Sequence, residues 1–140
     1  MTAQIPERLD HEGEWHSMCE EPLEDWFEQG GARPRFAPMH TACWRGYIGD
    51  WSVVDGRLFL VGLEGNLEDG SAATVEALFP GSGGRVFAEW FSGEVRIPQG
   101  ELLEYVHMGY ESRYERYLFL RFERGRLVER SVHRDQGTVM

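Results

Sequence analysis

The chain has 140 residues, of which 41% are hydrophobic and 13% aromatic, and a formal net charge of −10. That length suits one domain with a substantial core, and the aromatic content argues against disorder. The acidic balance disfavours general nucleic-acid or anionic-membrane binding and suits docking on a basic partner.

In chain order, Ile5–Leu9 and Glu14–Met18 read as two strands around a turn containing Gly13. A helix is expected over about 21–29. Pro22 sits in its first turn, where a missing N–H costs nothing, and Glu20, Glu21, Glu24 and Asp25 favour its positive end. Leu23, Trp26 and Phe27 fall at i, i+3 and i+4 on one face, and Gly30-Gly31 ends the helix. Residues 31–42, with Pro34 and Pro38, read as an irregular crossing segment.

From Cys43 onward the pattern is β. Trp44–Ile48 reads as a strand, Gly49-Asp50 as a turn or bulge, and Trp51–Val54 and Arg57–Leu63 as a hairpin about Asp55-Gly56. A short helical turn is expected at about 74–79, stopped by Pro80. Val86–Phe91 and Glu94–Ile97 read as a hairpin about Ser92-Gly93, followed by a turn at Pro98-Gln99-Gly100 and a strand over Leu102–Met108. Tyr114–Glu123 alternates, with Leu118, Leu120 and Phe122 on one face, and Arg126–His133 returns after Arg124-Gly125. Turn signals every 8–12 residues give the expected fold class. It is mainly β (α+β), an antiparallel meander forming a curved sheet or a small barrel. One domain is expected over 1–140, with 134–140 a frayed tail.

Several chemistries are excluded. All fourteen basic residues are arginine, so there is no Schiff-base, P-loop or kinase-type lysine. No apolar run approaches the ~20 residues of a membrane span, and the N-terminus lacks the apolar stretch of a secretory signal, so a cytoplasmic location is expected. Charge is uneven: residues 1–30 carry nine carboxylates against Arg8, whereas 113–134 carry seven arginines against Glu115, Glu123 and Glu129.

Three constellations could carry function. His16-x-x-Cys19 and His40-x-x-Cys43 together offer the donors of a tetrahedral zinc site. The alternative is surface histidines with buried, reduced cysteines, Cys43 in the core. His107, between Tyr105 and Tyr110, could act as a general base with Glu89, Glu94 or Glu104, but no nucleophile motif accompanies it. Trp44, Arg45, Tyr47 and Trp51 in one hairpin, and Trp90, Tyr105, His107 and Tyr110 in another, are residue types that dominate binding hot spots and also fill sheet cores. Arg45 must face solvent, pair with a carboxylate or await an anion.

The segments Thr41-Ala42-Cys43-Trp44-Arg45-Gly46-Tyr47-Ile48-Gly49, Trp90-Phe91-Ser92-Gly93-Glu94, Arg96-Ile97-Pro98-Gln99-Gly100 and Leu102–Tyr110 together resemble a family of short, uncharacterised bacterial proteins. The resemblance spans roughly residues 20–130. It implies a bacterial, soluble, single-domain protein and carries over no catalytic residue. Size and charge, not the resemblance, give the functional expectation: a non-enzymatic cytoplasmic protein-binding module without a cofactor, immunity- or antitoxin-like, binding a basic partner. The alternative is a small-molecule-binding β-barrel with weak hydrolase-type activity.

Overall fold

The computed structural model describes residues 5–39, 43, 45–105, 110 and 113–134. Of the residues singled out above, His40, Trp44 and His107 lie outside that set, as does the 135–140 tail. The chain forms β1 (Glu7–His11), β2 (Glu14–Met18), α1 (Pro22–Glu28), β3 (Tyr47–Val54), β4 (Arg57–Gly65), α2 (Val75–Leu78), β5 (Val86–Phe87), β6 (Gly93–Glu104), β7 (Arg113–Glu123) and β8 (Arg126–Arg134). Three hairpins use two-residue turns, at Glu12-Gly13, Asp55-Gly56 and Arg124-Gly125. Both turn residues are left-handed in each (φ 54 and 81, 52 and 72, 48 and 78), as the strand twist demands.

The strands form one mixed sheet in the order β2-β1-β3-β4-β8-β7-β6, with β5 paired to β4. The expected meander is antiparallel throughout, but β1 and β3 run parallel, with Leu9 opposite Trp51. A parallel pair needs a long crossover, and β2, α1 and the irregular segment supply it. Two further expectations are corrected. Residues 93–104 form one long strand rather than two around Pro98-Gln99-Gly100. Its outer side has no ladder partner over that stretch among the described residues, so Pro98 is tolerated there, and Gly100 (φ 78) takes up a register shift as a bulge. The expected 86–91 strand shrinks to Val86–Phe87 and pairs with β4 instead of β6. Beyond it the Phe91 N–H turns back to the Ala88 carbonyl, and the Trp90 indole N–H donates to the Pro22 carbonyl on α1.

β4 and β8 meet only where Arg57 faces Arg126, so the sheet divides there into two leaves. Leu9, Trp51, Leu58 and Leu60 from one leaf join Val95, Ile97, Leu118, Leu120 and Phe122 from the other in a single core. The sheet is a curved, side-chain-filled one, not a closed barrel. α1 closes one end. Leu23 is fully buried, Trp26 packs on Phe79 (4.4 Å) and Phe27 meets Tyr47 edge-on (6.4 Å).

The outer edges, β2 and β6, approach at one point. The Cys19 N–H donates to the Arg96 carbonyl (2.9 Å), and the Arg96 N–H donates to the Glu20 carboxylate. Burial pushes the Glu20 carboxyl up to about 7, against the opposing pull of the Arg96 bond and charge. Between its ordinary value of 4.5 and about 7 the folded chain therefore holds a proton that the unfolded chain has lost. Stability through this group falls as pH rises across that window, by at most ~1.4 kcal/mol per pH unit, and is flat above it. Urea unfolding from pH 4.5 to 8 should show Glu20→Gln losing this part of the wild-type slope.

Candidate functional site

Most of the aromatic and arginine residues expected to bind are drawn into one buried polar network. β1 alternates so that Glu7, Leu9 and His11 face inward. The Glu7 side chain has no solvent exposure, and that of Arg45 has 4%. The Glu7 carboxylate accepts from Arg45 Nη2 (2.8 Å) and Nε (3.2 Å), the Gly49 N–H (2.6 Å) and Trp51 Nε1 (3.0 Å). Burial raises the Glu7 carboxyl above its ordinary value, opposed by Arg45 and these donors. Burial alone would lower the Arg45 guanidinium, but Glu7, Tyr110 and Glu21 together more than offset it, and the net shift is upward.

The network extends to the helix. Arg45 Nη1 lies 3.6 Å from Glu21, whose carboxylate also accepts from the Tyr110 hydroxyl. The Tyr47 hydroxyl donates to Glu24 (2.6 Å), which Arg33 grips with two 2.8 Å bonds while reaching the Arg45 carbonyl (3.2 Å). Burial raises both phenols, and the neighbouring carboxylates push the same way. Neither phenol is a base near neutral pH. The arrangement binds α1, β1, β3 and the crossing segment together, and its buried carboxylate is already filled with donors.

The remaining expected residues are dispersed. Trp90 is half-buried, while Tyr105 is 50% exposed. Of the zinc candidates, His16 lies 4.0 Å from Glu14, Cys19 sits beside Arg96, and Cys43 is buried with its thiol donating to the Tyr47 carbonyl. No group of three or more metal-ligating side chains gathers among the described residues. Glu104 is 3.5 Å from Arg113.

A different residue stands out on the surface. Trp15 on β2 is 59% exposed. The β1–β2 and β1–β3 registers place Trp15, Asp10 and Ser52 in one row across the outer face, with Ser17, Arg8 and Asp50 in the next. Trp15, Arg8 and Asp50 line an open pocket of about 320 Å³. Arg8 is held by Asp50 (2.5 Å) and Glu64 (3.6 Å). The Glu12 and Glu14 side chains are 70% and 80% exposed at the adjoining turn. The signal for Trp15 lay in the strand alternation: if Met18 faces the core, Trp15 faces out.

In comparison with known proteins, the chain matches no family model, no curated protein and no solved structure. Among the described residues no helix is long and apolar enough to cross a membrane.

The network makes its own prediction. Arg45→Met leaves a buried carboxylate unpaired and should cost about 3–5 kcal/mol in urea unfolding, whereas adding Glu7→Gln to Arg45→Met should recover part of that loss. Gly49→Ala should cost about 1–3 kcal/mol, because a methyl there would collide with the Glu7 carboxylate and the Trp51 indole.

Proposed function

We propose that this chain is a non-enzymatic protein-binding module, immunity- or antitoxin-like and acting in a bacterial cytoplasm, that docks a basic partner on the outer face of β2, β1 and β3. The observation that carries this reading is Trp15, 59% exposed within a group of carboxylates. A large indole left in water gains nothing for folding and is well suited to anchor an interface. A partner's arginine or lysine can lie over the indole face. Asp10, Glu12, Glu14, Asp50 and Glu64 outnumber Arg8 around it, and Arg8 is already engaged. The same charges would steer a basic protein to this face. The filled core favours surface docking over an internal ligand cavity.

The test is affinity purification of the wild type and of Trp15→Ala from the native host at low and moderate salt. A stoichiometric partner with a basic isoelectric point is expected, weakening as salt rises. Trp15→Ala should lower its affinity by about 2 kcal/mol, roughly 30-fold, with the Tm unchanged. Failure to recover a stoichiometric partner, or equal retention by Trp15→Ala, would overturn the reading.

A further inference from the structure

Six arginines are matched to carboxylates: Arg8, Arg33, Arg45, Arg113, Arg116 and Arg121 each have one within 4 Å. Arg57, Arg85, Arg124 and Arg126 have none among the described residues, and they stand together where the leaves meet. Arg57 and Arg126 are direct cross-strand partners. Their guanidiniums lie 6.0 and 5.8 Å from the centre of the Phe87 ring. Phe87 pairs with Phe59, whose ring carries Arg85 at 3.9 Å. Like charges placed opposite each other in a sheet are destabilising. Glu123 is the other cross-strand neighbour of Arg126, but its carboxylate is taken by Arg121 at 3.1 Å.

Arg124 adds a second anomaly. It occupies the first position of the β7–β8 turn at φ 48, a conformation that Asn, Asp or Gly adopts with less strain than arginine. The residue stands at a place where its backbone is disfavoured, and it lines the same pocket as Arg126. Phe87, Glu89, Trp90, Arg124 and Arg126 line an open pocket of about 460 Å³. Its walls are aromatic. Arg124 and Arg126 face one carboxylate in the lining, and Arg57 lies over the same Phe87 ring, so positive charge is in excess there.

We propose that this pocket binds a small phosphate ester carrying a planar ring. The dianionic phosphate takes the in-plane N–H donors of Arg57, Arg124 and Arg126, which a guanidinium lying over a ring leaves free for a fork of hydrogen bonds. The ring lies against Phe87 and Trp90, and the Glu89 carboxylate accepts from a donor on it. None of these residues lies on β2, β1 or β3, so the two sites stand or fall separately.

The test is calorimetric titration of the full chain at low ionic strength with phenyl phosphate, with inorganic phosphate and with a glutamate-rich peptide. Phenyl phosphate should saturate one site, about tenfold tighter than inorganic phosphate. Arg57→Gln and Arg126→Gln should each weaken it about tenfold, while Arg121→Gln leaves it unchanged. The ligand-free Tm of the two affected variants should equal or exceed that of the wild type, since a repulsion is removed. No saturation at millimolar phenyl phosphate, equal affinity for inorganic phosphate, or tighter binding of the peptide would each overturn the assignment. So would a marked fall in Tm of Arg57→Gln or Arg126→Gln, which would make these arginines a structural cover for Phe87.

Discussion

The carboxylate of Glu7, wholly removed from water and gripped by Arg45, is the constraint on which one end of this fold depends. Taking two charges out of water is costly, and their attraction repays it only where every remaining lone pair finds a donor. Here the donors come from three places. Arg45 arrives from the crossing segment, the Gly49 N–H from β3 and the Trp51 indole from the same strand two residues on. Gly49 is needed because the carboxylate occupies the space a side chain would fill. The parallel register of β1 on β3, unusual in a chain of hairpins, is the register that puts Glu7 against these groups. Through Glu21 and Glu24 the same network seats α1 over the end of the sheet.

This arrangement explains which residues are left for function. Arg45, Tyr47 and Trp51 have the composition of a hot spot, but the core and the polar network absorb them. What remains is a row of cross-strand partners on the outer side of one leaf, Trp15, Asp10, Ser52, Phe59 and Phe87, of which Ser52 is itself buried. One end of the row is acidic around Trp15. The other is basic, with Arg85 over Phe59 and with Arg57 and Arg126 over Phe87. Four strand spacings separate the ends, about 19 Å. The row thus runs from an acidic end to a basic one.

Local chemistry was legible from the residues. Asp55-Gly56 and Arg124-Gly125 marked hairpins because their glycines take left-handed conformations, and Leu118, Leu120 and Phe122 marked an inward face by alternation. Pro22 and the Leu23-Trp26-Phe27 spacing marked α1 to within a residue at each end. Non-local pairing was not legible. Nothing near Glu7 announces that β1 runs beside β3, and nothing near Val86 announces β4 as its partner. Pro98-Gln99-Gly100 has the chemistry of a turn, and only the lack of a neighbour on that side of β6 lets the strand run through it. For Arg45, a carboxylate partner was one of three open outcomes. Glu7 could have been nominated, since it shares a strand face with Leu9 and His11, but charge alone argues for the surface. The exposed sites needed the fold. Alternation along β2 already turned Trp15 outward, but only the fold shows Trp51 and Trp90 to be packed inside and Trp15 left exposed.

The central claim, that the Glu7 network holds this end together cooperatively, is most directly tested by native-state hydrogen exchange at the Trp51 indole N–H. That proton is donated to Glu7 inside the core and can exchange only when the pair opens. Its exchange free energy should equal that of global unfolding measured with urea. Exchange at a free energy well below the global value would mean that the pair opens by itself, and would contradict the account.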